Sequence, residues 1–332
     1  MRKIVGPEWV IISILAAVCV WGWGGAAPAA ELPAIEVGLP QDGLFGLGGQ
    51  YILDKGLDRK NGFVMKPRWA GVSDIERLLA IGTISVGLAT SEAAVRANLQ
   101  GVSIRLISPF QEPHQQFLVR KDSSYKTVEE LKGKAVAITP EVTSLYNMFD
   151  FIMKKRGISI EKDFQLKKIA APAVIIALLE KGDVEGALLW EAHVSRLMAT
   201  GRYNVIMLLR DEMRRSLNAR VKLMGWIGGL DPWVKGNPDM VPRFRAAWSE
   251  MIKGVQKDEA HFRKYAKQFF GLEKPEEVAL AWQRTSRFLL PPDFAWPESS
   301  NLNVEKSYLK EGVAMGIFPK EAAALIDPLF VP

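Results

Sequence analysis

Cysteine occurs once, at Cys19, and histidine three times, at His114, His193 and His261. A single thiol excludes a disulfide framework and any cysteine-built zinc site. The histidines stand roughly 70 to 80 residues apart with no metal-ligand spacing around any of them, so packing or surface roles are the expectation for all three. Long apolar runs are scarce as well. The longest, Val10–Trp21, is about a dozen residues, short of the roughly 18 to 20 that a membrane-spanning helix needs. Basic charge is not clustered: the formal +6 is spread along the chain, which is not the footprint of a nucleic-acid binder. There is no Walker A sequence, no H-E-x-x-H, no G-x-S-x-G and no G-x-G-x-x-G. Nothing local nominates a catalytic residue, a metal site or a cofactor. The paired carboxylates Glu129-Glu130 and Glu276-Glu277 fall in the first turns of expected helices, where negative charge offsets the helix dipole.

What is present begins with a leader. Arg2 and Lys3 precede the apolar run, and Ala27-Pro28-Ala29 places small residues at the −3 and −1 positions of a cleavage site. This is the three-part pattern of a secretory signal peptide over residues 1–29; an uncleaved anchor is the alternative. Cys19 follows Val18 rather than a small residue, which fits a lipid-attachment cysteine poorly, so it reads as part of the leader. The chain from about Ala30 onward then has no cysteine, as suits an oxidising compartment. The 332 residues suit two domains, or one large one.

The rest alternates strand and helix. Strands are expected over 34–39, 63–68, 84–88 and 102–107, and again over 116–120, 135–138, 164–169, 186–189 and 203–208, with a return strand at 223–227. Helices fill the gaps, so two α/β units with mainly parallel sheets follow. The glycine-rich stretch Gln41–Gly49 reads as a loop leading to a helix over 50–60. S-x-x-E and T-x-x-E spacings at Ser73–Glu76 and Thr127–Glu130 read as capping boxes. After Asn237-Pro238 the pattern is helical to the end. That last third has no strands of its own and is expected to pack on the first unit.

In such sheets ligands bind beyond the carboxyl ends of strands, where helix N-termini offer unpaired N–H groups and a positive dipole end. Thr90-Ser91 ends a strand and opens a helix in the first unit; Thr139, Thr143 and Ser144 do the same in the second. Each could be a plain N-cap. One such site in each unit points instead to a solute gripped between them. Trp190-Glu191 sits at another carboxyl end, offering a flat wall and a charge. Trp226 lies in the return segment and Gln111 near the first unit's boundary.

Several segments together resemble a known family. They are IEVGL at Ile35–Leu39 with the glycine-bearing loop after it, GVSDIERLL at Gly71–Leu79, VGLATSEA at Val86–Ala93, TVEELKGKAVAI at Thr127–Ile138 and GDVEGALLWE at Gly182–Glu191. The chain is similar to the periplasmic solute-binding proteins of ABC importers, in the sulfonate/taurine/nitrate group with its pyrimidine-precursor-binding relatives. The resemblance implies a type 2 clamshell of two lobes, each a mainly parallel sheet flanked by helices. One lobe would hold 30–113 plus 216–332 with the helical C-terminal part, the other 114–215. It implies an extracytoplasmic, monomeric binder that captures a small anionic or zwitterionic solute and delivers it to a membrane permease. It implies no catalysis, cofactor, metal or nucleic acid. It places ligand contacts at Gly43 and Leu44 and at the strand-end residues above, to which Gln111 and Trp226 add two candidates. Ala192 stands where the family often has Pro. A same-fold enzyme of the thiamine-pyrimidine synthase type, or a periplasmic solute sensor, are the other readings.

Overall fold

The computed structural model describes residues 31–191, 193–291, 296 and 298–332. The leader, Cys19, the cleavage position near Ala29, and Ala192 lie outside the described residues. Among the described residues, ten strands form two five-stranded sheets. Strands β1 (Ala34–Pro40), β2 (Val64–Ala70), β3 (Val86–Thr90) and β4 (Ile104–Gln111) belong to the first. Strands β5 (Gln116–Arg120), β6 (Ala135–Ile138), β7 (Gln165–Lys168), β8 (Gly186–Leu189) and β9 (Tyr203–Leu208) form the second. The chain then returns to place β10 (Gly225–Leu230) in the first.

The orders are β2-β1-β3-β10-β4 and β7-β6-β8-β5-β9. Within each, three neighbouring strands pair in parallel, and one strand runs antiparallel between its two neighbours: β10 in the first sheet, β5 in the second. Both reversed strands are the first after a passage between sheets. The central strands are buried along their length, β3 (VGLAT) and β8 (GALL) at every position, as covered parallel strands require. The fold is therefore mixed α/β with helices over both sheets. No helix among the described residues is long and apolar enough to cross a membrane.

The two passages, residues 112–115 and 218–224, lie against each other. Met224 N–H donates to Gln111 C=O at 2.9 Å. Lys222 N–H donates to the Glu112 carboxylate at 3.0 Å, which Arg214 also grips with two guanidinium nitrogens.

Three expectations need correction. The glycine-rich stretch is not a loop: a helix spans Gly43–Asp54 and a second short one Leu57–Lys60. The glycines let that first helix approach its neighbours closely. A Cβ on Gly46 would lie 2.3 Å from Pro40 O and 2.8 Å from the Phe269 ring, and one on Gly49 2.5 Å from Leu39 Cδ1. Close packing here outweighs glycine's poor helix propensity. The Ser73–Glu76 capping box does not form, because the helix Val72–Ala80 starts two residues too early and has Gly71 at its N-cap. Its counterpart does form in part: Glu130 accepts from the backbone N–H of Lys126 and Thr127. Finally, the C-terminal helices do not rest on the first sheet's helices alone. Met240–Val255 and Glu259–Phe270 pack on the helix Gly43–Asp54, but Pro275–Thr285 packs on His193–Ala199 and Ser299–Ala314 on Leu209–Leu217. The last of these partners, Leu209–Leu217, and Asp231–Gly236 are helices the sequence reading missed.

Gly46→Ala tests the close-packing account. A gain in helix propensity of about 1 kcal/mol competes with a backbone clash, and overpacking costs about 1–3 kcal/mol. The expected outcome is net destabilisation in urea unfolding, with Gly133→Ala no guide since Gly133 has positive φ.

Candidate functional site

The first helix turns beyond β3 and β6 face each other. Thr90 caps the helix Ser91–Leu99, its hydroxyl accepting from Ala93 N–H at 3.2 Å. Thr143 caps Ser144–Lys155 in the same way, accepting from Tyr146 N–H at 3.3 Å. Thr139 and Thr143 hydroxyls lie 2.7 Å apart. The capping reading therefore holds for Thr90 and Thr143. The next residues do something else. Ser144 Oγ donates across to the Glu92 carboxylate at 3.0 Å, and Ser91 Oγ lies 3.2 Å from the same carboxylate. Two hydroxyls from helices that follow strands of different sheets thus converge on one anion, and that anion belongs to the chain. Arg96 adds a second tie, donating to Glu141 O at 3.2 Å and to Asn147 Oδ1 at 3.1 Å.

The cluster extends into the helix Ser299–Ala314. Tyr308 OH donates to Glu92 at 2.8 Å, and Ser91 Oγ donates to Glu305 at 2.6 Å. Lys222, on the return passage, grips both Glu305 oxygens at 2.9 and 2.8 Å and lies 4.3 Å from the Tyr308 ring centre. Lys222 and Glu305 are 0% exposed and Glu92 is 1% exposed. Burial pushes the Glu305 carboxyl up, with Lys222 pulling against it and the Glu92 charge adding to it. Burial also drives the Tyr308 phenol well above its ordinary range, reinforced by Glu92. Beside the cluster, half-buried Glu76 accepts from Thr90 Oγ1 at 3.1 Å, and desolvation raises its carboxyl to about 7. None of Glu92, Lys222, Glu305 and Tyr308 was nominated by the sequence. They come from distant segments, and no spacing marks them.

The remaining candidates divide. Glu191 is buried and fully engaged: Gln116 donates to it at 2.8 Å, Arg284 at 3.0 Å, and Ser195 through N–H and Oγ at 3.0 and 2.6 Å. Arg284 comes from the helix that packs on His193–Ala199, so Glu191 ties that contact. Trp190 is half-buried and meets the His193 ring edge-on at 5.1 Å. Trp226 is wholly buried, its ring 5.0 Å from Trp296 and 5.5 Å from Phe330. It pairs through β10 with Ala89 and Pro109. Gln111 is buried with its Oε1 unpartnered, and a Cβ on Gly225 would lie 3.5 Å from both Gln111 and Phe45. Gly43, at φ +70°, starts the helix that carries Leu44 and Phe45. The structure thus brings Thr90, Ser91, Thr139, Thr143 and Ser144 together and leaves Glu191 and Trp226 in packing roles of their own.

His114 and His193 are held down to about 4 by burial, aided by the neighbouring His193 and Arg196 charges respectively. Among the described residues no group of three His, Cys, Asp or Glu could hold a metal ion. Two open grooves of about 720 and 510 Å³ flank β9; neither includes a residue of the Ser91–Ser144 cluster.

Comparison with known proteins agrees with the architecture. Residues 55–224 match the family model described as "ABC transporter, phosphonate, periplasmic substrate-binding protein". Among solved structures, the periplasmic aliphatic sulphonate-binding protein SsuA of Escherichia coli is 18% identical, with TM-score 0.72 over 91% of this chain and 93% of that one. The alkanesulfonate-binding SsuA of Xanthomonas axonopodis pv. citri, bound to MOPS, is 18% identical, with TM-score 0.71 over 91% and 99%. A putative SsuA from Methylobacillus flagellatus KT is 19% identical, with TM-score 0.66 over 91% and 92%. At these identities the likeness is one of fold. No curated protein matches the sequence.

Two outcomes follow from the buried charges. Lys222→Met strands the Glu305 carboxylate and is expected to cost about 3–5 kcal/mol in urea unfolding, with Lys222→Met/Glu305→Gln regaining part of it. Glu76 binds its proton more tightly folded than unfolded. Its stabilising contribution is fully present below about 4.5 and is lost as pH rises through about 7. A melting-temperature series from pH 4 to pH 8 should therefore fall less steeply on the alkaline side in Glu76→Gln.

Proposed function

The chain belongs to the periplasmic substrate-binding protein family of ABC transporters, and from that premise we propose that it captures a small oxyanion-bearing solute between its two sheets and delivers it to a membrane permease. The observation that carries this reading is the convergence of Ser91 and Ser144 on a single carboxylate. Each is the first residue of a helix, where N–H groups and the dipole favour negative charge. A sulfonate or phosphonate group is the matching ligand, with Thr139 and Thr143 close by.

Closure supplies the mechanism. Residues 30–113 with 216–332 form one body and 114–215 the other, and the adjacent passages 112–115 and 218–224 serve as the hinge. A solute that touches both bodies only when they are together shifts the population toward the closed form. Binding and release are all that this requires, so no residue is assigned a catalytic role. The leader pattern of residues 1–29 supports export with cleavage near Ala29, and the binder would act as a monomer.

Titration calorimetry with short alkyl sulfonates and phosphonates tests the site. Ser144→Ala is expected to weaken the bound member by about 1–3 kcal/mol. Unchanged affinity in a folded variant would remove Ser144 from the site.

A further inference from the structure

Glu92 sets a carboxylate between the two facing helix turns. Its carboxylate sits at the first turn of one helix, takes the Ser144 hydroxyl from the facing helix, and takes Tyr308 OH from a third. Among the described residues, its hydrogen-bond partners are three neutral hydroxyls, those of Ser91, Ser144 and Tyr308. Glu305 differs, since Lys222 neutralises it with two contacts. Ser91 stands between the two carboxylates with one hydrogen to give, and its shorter contact, 2.6 Å against 3.2 Å, is to Glu305. Glu92 is thus the carboxylate without a cation and with the weaker claim on the shared hydroxyl. It is the group an incoming anion can replace.

We infer that Glu92 is a specificity-determining residue, a tethered carboxylate that keeps free monocarboxylates out of the cleft while admitting tetrahedral oxyanions. The inference rests on the oxyanion reading of the cleft given above. A tethered group competes at an effective concentration on the order of millimolar. A free monocarboxylate offers the hydroxyls what Glu92 already offers, two oxygens and one charge, so it gains nothing by displacing it. A sulfonate or phosphonate offers three oxygens. It can meet the Ser144 and Tyr308 hydroxyls on separate atoms, as Glu92 does, and keeps a third oxygen for the unpaired N–H groups of a helix first turn. Discrimination of this kind comes from the penalty set against the wrong ligand as much as from contacts to the right one.

The test compares three probes with one ethyl chain: ethanesulfonate, ethylphosphonate and propionate. Calorimetry on the wild type is expected to show one of the tetrahedral probes bound at least about tenfold tighter than propionate. Glu92→Ala removes the competitor and is expected to raise propionate affinity at least about tenfold, narrowing that ratio. Glu92→Gln keeps the shape while losing the charge, so it guards against a variant that fails to fold and is expected to shift the ratio in the same direction. An unchanged ratio in folded Glu92→Gln, or weaker binding of all three probes, overturns the role of Glu92 and leaves the oxyanion reading standing. Failure of every probe to bind wild type and variants alike overturns the oxyanion reading itself, and this proposal with it.

Discussion

Buried charge between the two sheets must be compensated, and the arrangement around Glu305 and Lys222 meets that demand. An ion pair removed from water is held only when its remaining donors and acceptors are satisfied. Here the ammonium has both carboxylate oxygens, Leu223 C=O and the Tyr308 ring. Glu305 takes Ser91 as well. The consequence is positional. The return passage, the helix Ser299–Ala314 and the helix after β3 are fixed to one another by groups that cannot be left unpaired. Glu92 and Ser144 then extend the same network to the second sheet's first helix turn.

A second set of contacts ties the halves at the same carboxyl end of the strands, beyond β8 and β4. Glu191 gathers Gln116, Ser195 and Arg284, and Glu112 gathers Arg214 and the Lys222 backbone. Both carboxylates are nearly inaccessible to solvent. Each serves segments from opposite sides of a passage, so the passages are braced by charge rather than by apolar contact alone. Under the closing mechanism proposed above, these directional bonds would stand beside the hinge passages.

Much of the fold was legible in the sequence because the strands are short apolar runs with sharp ends. AVAI at Ala135–Ile138, GALL at Gly186–Leu189 and YNVIML at Tyr203–Leu208 fall where the pattern places them. Pro172 and Gly182 bound their helix as Pro at the start and a left-handed Gly at the end should. The glycines at 46, 48 and 49 misled because glycine marks both loops and close helix packing, and only the tertiary neighbours tell them apart. The candidate site was legible at Thr90, Ser91, Thr143 and Ser144, whose position follows from strand-to-helix order. It was not legible at Glu92, Lys222, Glu305 and Tyr308. A glutamate in a first turn looks like dipole compensation until its surroundings are known. A lysine, glutamate and tyrosine far apart in sequence carry no pattern at all. The two strand ends that carry Thr90-Ser91 and Thr139–Ser144 are alike in chemistry but not in place. By strand order β3 corresponds to β8, and β6 to β1.

The reversed strands β5 and β10 have an effect on the order in which the molecule can be built. The second sheet needs only consecutive strands, β5 to β9, and all of it has been synthesised once Leu208 is made. The first sheet begins earlier but has a gap between β3 and β4 that only β10 fills. Its edge strand β4 has no sheet neighbour until residues 225–230 emerge. The half of the protein that starts the chain is therefore the half that must wait, and a fragment ending before Gly225 would carry an open, apolar seam where a finished sheet should be.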